Sequence, residues 1–83
     1  MSWSITWEPH AVAAASRFLN DDPEGLKQVL AATDYLLSDP RPDGSTPYGS
    51  SDVRRIRIGW YRVVYEIDDT AATIHIIHFG RVE

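Results

Sequence analysis

Three closely spaced runs of alternating side chains in the C-terminal half constrain the fold of this chain more than any other feature. The first run is VRRIRI, the second is YRVVYEI and the third is ATIHIIHFG. A period of two is typical of strands. Gly59 and Trp60 separate the first two runs and suit a two-residue type II′ turn, because glycine accepts its first central position. These runs predict three consecutive strands in an antiparallel meander.

The N-terminal half predicts one strand and two helices. WSITWE alternates large apolar and polar residues, as a strand with one buried face does. Pro9 opens an alanine-rich run with helical spacing, and Asp22 with Pro23 opens a second run that ends at SDPRP. Two helices joined by so few residues form an antiparallel helical hairpin. Residues 39–52, rich in proline, glycine, serine and aspartate, are expected to form a long loop.

The predicted order β-α-α-β-β-β gives a two-layer α+β fold, in which the N-terminal helical hairpin packs on one face of an antiparallel sheet. The first strand is expected at one edge of that sheet. With 83 residues, the chain allows a single domain over residues 1–83 with a thin core.

Composition excludes several classes of function. The sequence has no cysteine, which rules out a disulfide framework and a thiolate metal site, and its three histidines are too scattered to suggest zinc. No run approaches the ~20 apolar residues of a membrane span, and no signal-peptide pattern opens the chain. We therefore expect a soluble cytoplasmic protein that uses no metal or other cofactor and has no membrane partner.

Charge is distributed unevenly along the chain. The net charge of −4 argues against a general nucleic-acid binder. Residues 1–52 carry a net charge of −5, whereas residues 53–83 carry +1. Four arginines fall within the predicted hairpin: Arg54, Arg55, Arg57 and Arg62. Such asymmetry is typical of an anion-binding face on an otherwise acidic body.

The strand period predicts where these arginines point. Arg55 and Arg57 share one face of their strand, while Arg54 shares the other with two isoleucines. Helices cover one face of the sheet, so we expect the arginines to favour the open face, where guanidinium groups pair with phosphate oxygens. Arg81, at the end of the last strand, is expected on the same surface. A plainer alternative stays open, in which the acids at residues 66–69 pair with the arginines and the face is merely solvated.

The stretch from SDPRP to HFGR resembles the core of the RelE/ParE toxin superfamily. The matching motifs are DPRP after the second helix, RIRIG, YRVVYEID and the final GR, at residues 39–42, 55–59, 61–68 and 80–81. They cover roughly the second half of the chain, and the strand-helix-helix opening is compatible but less specific. Gyrase-poisoning members of the superfamily share much of the same pattern.

The resemblance implies a RelE-like toxin of a type II toxin–antitoxin system, a metal-independent endoribonuclease that cleaves mRNA in the ribosomal A site. A ribose 2′-hydroxyl would attack the adjacent phosphate, and cations must stabilise the added charge. Arg62 and Arg81 match the positions for that role, and Arg55 and Arg57 match those that hold the backbone or promote deprotonation. The implied partners are a cognate antitoxin, the ribosome and mRNA, and homodimerisation of the free chain stays open.

Family members often carry a tyrosine or histidine beyond the last strand as general acid or base, and none follows that strand here. His78 or His75 is expected to substitute, since histidine titrates near neutral pH. Because the two are three residues apart, ideal alternation places them on opposite faces, one of them under the helices. Trp60 stands where relatives commonly have aspartate. An exposed ring there would stack on an RNA base or dock a partner, and the plainer alternative is a ring that caps an edge of the core. Arg54 is a further candidate RNA contact.

Two other functions stay open from the sequence. One is a ParE-like toxin that inhibits DNA gyrase by binding and cleaves nothing. The other is a catalytically weak toxin-fold protein that only binds its antitoxin. The negative net charge favours these alternatives over strong ribonuclease activity, because affinity for the ribosome is largely electrostatic.

Overall fold

A computed structural model describes residues 2–82, and these residues form two helices and five strands in the order β-α-α-β-β-β-β. The α+β class and the placement of both helices on one face of the sheet are confirmed. The elements are β1 (Ser4–Trp7), α1 (Pro9–Asp21), α2 (Pro23–Tyr35), β2 (Ser45–Pro47), β3 (Val53–Ile58), β4 (Tyr61–Asp68) and β5 (Thr73–Arg81).

The strands form one sheet in the order β1-β5-β4-β3-β2. The antiparallel meander β3-β4-β5 and the edge position of β1 agree with the prediction. The pairing of β1 with β5 is parallel. The long connection that parallel neighbours need is supplied by the two helices and by β2, β3 and β4. β2 was expected to be loop and instead pairs antiparallel with β3. Its three residues are too few to show a period in the sequence.

Both helices begin where the sequence signals lie. Pro9 occupies the first turn of α1, and Pro23 that of α2. The Asp22 carboxylate caps α2 by accepting the Gly25 N–H at 3.1 Å, which satisfies one of the free amides of the first turn. The Asp22 N–H in turn donates to the carbonyl of Phe18 at 2.7 Å. One residue therefore closes α1 and opens α2.

The core lies between the helices and one face of the sheet. Tyr61 and Tyr65 are buried there. This agrees with strand alternation, which places both on the face opposite to Arg62. The Tyr61 ring stacks on Phe79 with centroids 5.3 Å apart. Trp3 and Trp7 pack against this core, as the alternation of WSITWE predicts. The other buried apolar residues of the cluster are Ala11, Leu26, Val29, Leu36, Val63, Ile67, Ile74 and Ile76.

A one-residue bulge interrupts the alternation of β5. Val64 lies opposite His78 and Tyr65 lies opposite Ile76, so Ile77 has no register partner on β4. An extra residue on one strand of an antiparallel pair reverses the facing of every residue that follows it. The bulge therefore decides which side chains of β5 face the open side of the sheet.

The turn between β3 and β4 has the predicted form. Ile58 pairs with Tyr61, which leaves a two-residue loop. The φ angle is +60° at Gly59 and negative at Trp60, the combination that a type II′ turn requires. Neither helix of the described residues 2–82 is long and apolar enough to cross a membrane.

Candidate functional site

The face of the sheet opposite the helices carries three arginines. Arg57 lies directly opposite Arg62 in the β3–β4 register, and Arg55 lies two residues before Arg57 on the same face. Like charges directly opposite each other disfavour strand pairing. A bound anion between them would relieve that repulsion.

These arginines line a pocket of about 280 Å³. Strand β2 forms one wall, because its register places Thr46 opposite Arg55. Gly44, just before β2, contributes no side chain and leaves the pocket open. Three always-charged guanidinium groups beside a hydroxyl form a chemical environment suited to a phosphate group. The lining residues are Gly44, Thr46, Arg55, Arg57 and Arg62.

The pocket arginines have no acidic partner in the part of the chain that the structure describes. No carboxylate of residues 2–82 lies within 4.0 Å of their guanidinium nitrogens. Of the acids that the plainer alternative offered, Asp69 binds Arg41 at 3.1 Å and Glu66 lies opposite His75. Neutralisation by neighbouring acids therefore does not account for the cluster.

Arg54 lies on the other face of the sheet, as its strand position indicated. Its Nε donates to Ser45 Oγ at 2.7 Å and its terminal nitrogen to the Ser45 carbonyl at 3.0 Å. Ser45 Oγ donates in turn to the Pro42 carbonyl at 2.7 Å. Arg54 thus fastens β2 to β3, and the structure does not place it among the candidate RNA contacts.

Arg81 also departs from the expected surface. It lies opposite Tyr61 in the β4–β5 register, which directs it to the helix-facing side. The bulge causes this, because it shifts the alternation of the strand by one residue. There Arg81 lies near the Asp22 carboxylate, whose pKa is lowered chiefly by the Tyr61 hydroxyl and more weakly by the arginine charge. The expectation that Arg81 joins Arg62 on one surface is wrong.

Both histidines of β5 face the open side, so the expectation of opposite faces is wrong as well. His78 lies opposite Val64, and the bulge at Ile77 separates it from His75. The His78 ring lies over Gly80, since a Cβ built at Gly80 would lie 3.2 Å from His78 Nε2. Gly80 is the register partner of Arg62. The imidazole therefore lies on the same face as Arg62, next to that arginine's register partner.

His75 is engaged in a separate cluster. Its Nδ1 lies 2.6 Å from Thr6 Oγ1, and its Nε2 lies 2.6 Å from Glu8 Oε1. Thr6 belongs to β1 and Glu8 is the residue that precedes α1. This chain of hydrogen bonds ties the edge strand and the start of α1 to β5. The geometry favours His78 over His75 as the candidate acid or base.

Trp60 is 61% exposed at the β3–β4 turn. The turn lies just beyond the Arg57–Arg62 pair, and Arg57 Nε donates to the Gly59 carbonyl at 3.2 Å. The exposed ring leaves Trp60 free of the core, and its role as an RNA contact stays a prediction.

Sequence reasoning missed the contribution of residues 39–52. This segment brings Gly44 and Thr46 into the pocket, and it places the Tyr48 ring over Arg55. The one available signal was the length of the segment, which is unusual in so small a domain. The residue types alone do not indicate which of them reach the arginines.

The DPRP motif anchors that segment. Arg41 donates to Asp69 at 3.1 Å and to Asp52 at 3.2 Å, and the bond to Asp69 raises the pKa of the guanidinium above its usual value. The Tyr65 hydroxyl donates to the Pro40 carbonyl at 2.8 Å. The segment is therefore tied near its beginning to the core and to the β4–β5 turn.

Comparisons with known proteins point to one family. Residues 10–83 match the family model of the ParE toxin of the type II toxin–antitoxin system, parDE. No curated protein sequence gives a significant match.

Solved toxin structures share the fold over nearly the whole chain. The isolated E. coli RelE toxin is 19% identical with a TM-score of 0.83, and the match covers 100% of this chain and 86% of that one. A chain of the archaeal RelE–RelB complex from Pyrococcus horikoshii OT3 is 22% identical with a TM-score of 0.76, over 98% and 96%. A chain of the chromosomal ParDE system from P. aeruginosa is 13% identical with a TM-score of 0.71, over 99% and 98%.

Proposed function

Because the chain belongs to the ParE toxin family of type II toxin–antitoxin systems, and so to the RelE/ParE superfamily, we propose that it is a RelE-like, metal-independent endoribonuclease acting on ribosome-bound mRNA. The observation that carries this proposal is the pocket formed by Arg55, Arg57 and Arg62, which have no acidic partner within residues 2–82. Such a pocket suits a phosphate that gains negative charge during a reaction.

The proposed reaction is attack of a ribose 2′-oxygen on the adjacent phosphorus. The P–O5′ bond breaks, a 2′,3′-cyclic phosphate forms, and the leaving 5′-oxygen takes up a proton. Arg62 stabilises the charge on the pentacovalent phosphate, while Arg55 and Arg57 hold the phosphate oxygens. His78 accepts the proton that the attacking 2′-hydroxyl loses, because its ring lies over the glycine that pairs with Arg62. The leaving 5′-oxygen takes its proton from water. Arg81 has no part in this scheme, since its strand position faces the helices.

A cleavage assay on ribosome-bound mRNA in the presence of EDTA tests the proposal. We expect the wild-type protein to cleave and Arg62→Ala to be slower by about 10²–10³-fold, the range for loss of a group that stabilises developing charge. Lys27→Ala is the matched control, because it also removes one positive charge, from an exposed position on α2. Absence of cleavage by folded wild-type protein, or equal rates for Arg62→Ala and Lys27→Ala, would overturn the proposal.

Gyrase inhibition is the second candidate, and the description of the matching family model favours it. The net charge of −4 is also easier to reconcile with a protein target than with ribosomal RNA. A DNA supercoiling assay with purified gyrase separates the two candidates. Inhibition of gyrase without mRNA cleavage would support this second function.

We further propose that the partner is a cognate antitoxin encoded beside the toxin gene. Support comes from the relatives solved as RelE–RelB and ParDE systems. Between the two helices lies an apolar groove of about 240 Å³. Three of its residues, Val12, Leu19 and Leu30, are large, apolar and about half exposed, and such surface favours a partner's apolar segment.

Isothermal titration with the product of the adjacent open reading frame tests this assignment. We expect Leu30→Asp, on the rim of the groove, to weaken binding by at least tenfold, because a charge replaces an apolar contact. Glu24→Gln, an exposed change on the same helix, is the control. Equal affinity of both variants for the antitoxin would show that the groove is not part of the antitoxin interface.

A further inference from the structure

We propose that Tyr48 and Arg55 form a stacking subsite for an unpaired nucleobase beside the arginine pocket. The subsite restricts the ligand to single-stranded nucleic acid. This inference deepens the proposed function and rests on it for the assignment of nucleic acid as the ligand.

The Tyr48 ring is positioned for stacking. The Arg55 guanidinium carbon lies 5.4 Å from the ring centroid, within the range of a cation–π contact. Tyr48 remains 51% exposed. Arg55 therefore supports one side of the ring, and the exposed side is left for a base. Aromatic and guanidinium planes are the groups on which proteins stack unpaired bases.

The ring is held on an ordered backbone. The Tyr48 N–H donates to the Val53 carbonyl at 2.8 Å, which closes the turn that follows β2. Gly49 has a φ of +87°, a left-handed conformation that glycine adopts without strain and that reverses the chain directly after Tyr48. Arg41 fixes the end of the same segment through Asp52. These contacts reduce the backbone freedom that binding would otherwise have to remove.

Arg55 belongs to both the ring contact and the pocket. Its guanidinium lies by Tyr48 and also lines the pocket with Arg57 and Arg62. A base on Tyr48 and a phosphate in the pocket would thus be neighbours along one strand. In a duplex the faces of each base are covered by adjacent base pairs. Only an unpaired segment presents a free base to the ring while its backbone enters the pocket.

Fluorescence anisotropy with short 2′-O-methyl RNA oligonucleotides tests the subsite without requiring cleavage. One labelled pentanucleotide carries bases, and a second has the same backbone without bases. We expect wild-type protein to bind the base-bearing oligonucleotide more tightly, and Tyr48→Ala to lose about fivefold to tenfold of affinity for it alone. Tyr48→Phe retains the preference, because the ring and not the hydroxyl stacks. Tyr35→Ala, which removes an exposed tyrosine from α2, is the control.

Two results would overturn the subsite: a wild-type protein without preference for the base-bearing oligonucleotide, or a Tyr48→Ala variant that keeps the preference. Circular dichroism confirms that each variant is folded. Failure here is separable from failure of the proposed ribonuclease. If cleavage depends on Arg62 but binding shows no preference for bases, the stacking subsite is rejected and the proposed ribonuclease stands. If binding prefers bases but no cleavage occurs, the surface binds single strands and the ribonuclease is rejected.

Discussion

Gly80 lies directly opposite Arg62 in the sheet, and the His78 imidazole rests against it with Nε2 3.2 Å from the place that a Cβ at residue 80 would occupy. A methyl group there forces the ring to move by a few tenths of an ångström. The displaced atoms are the far end of a flexible side chain, so the fold should tolerate the change.

We therefore expect the free energy of unfolding of Gly80→Ala to lie within about 1 kcal/mol of the wild-type value. We expect this variant to cleave mRNA about fivefold to tenfold more slowly, because the His78 ring is displaced. His78→Ala should lose about 10²-fold or more. Cleavage rates and chemical shifts of the His78 ring measure the two effects. Lys27→Ala, an exposed change on α2 away from the pocket, is the control. An unchanged rate for Gly80→Ala would argue against a role for His78.

The hydrogen bond from the Tyr61 hydroxyl to Asp22, 2.8 Å long, should make stability depend on pH. This bond, with the Gly25 amide, lowers the pKa of Asp22 below 3.8 in the folded chain. A carboxyl group with a lowered folded-state pKa stabilises the fold above its unfolded pKa, and the stabilisation is lost as pH falls through the folded value.

Tyr61→Phe should accordingly lower the urea midpoint near neutral pH, and the difference from wild type should shrink at pH values below 3.8. Urea titrations at a series of pH values from about 2 to 7 measure this dependence. Tyr35→Phe removes an exposed hydroxyl and should be silent at every pH. A deficit for Tyr61→Phe that stays constant across the series would show that Asp22 is not the linked group.

The contact of Arg41 with Asp69 and Asp52 should order the segment that carries Tyr48. All three side chains are substantially exposed, so solvent and salt weaken the pairs, and we expect Arg41→Ala to cost only about 0.5–1 kcal/mol of global stability. Locally the effect should be larger, with faster amide exchange across residues 43–52. Hydrogen-exchange mass spectrometry measures it, with Arg17→Ala as the control. Unchanged exchange in this segment would contradict the anchoring role.

The chain of hydrogen bonds from Thr6 through His75 to Glu8 should hold the edge strand β1. We expect His75→Ala to destabilise the pairing of β1 with β5 by about 1 kcal/mol. That change corresponds to amide exchange at Thr6 and Glu8 that is roughly fivefold faster. Exchange measured by NMR tests this, and His10→Ala, an exposed change on α1, should leave both amides unaffected. If His75→Ala also matches wild type, β1 is held by backbone pairing alone.

Strand alternation, proline positions and capping residues determined much of this fold locally. The meander, the Gly59–Trp60 turn and the starts of both helices are each set by residues within a few positions of one another. The same local pattern placed Arg55, Arg57 and Arg62 on a face away from the helices. The local pattern could not predict that these arginines lack acidic partners within residues 2–82, because the carboxylates that approach in space come from distant parts of the chain.

Register and long-range pairing decided the rest. The bulge at Ile77 reversed the facing of β5, and this brought His78 to the open face and sent Arg81 to the helix side. A bulge depends on how two strands fit each other, so alternation within one strand does not reveal it. Likewise β2 exists only because residues 45–47 find a partner in β3, and that pairing brings Thr46 and Tyr48 to the arginines. The sequence by itself determined which residues carry the charge, and tertiary structure decided which of them meet.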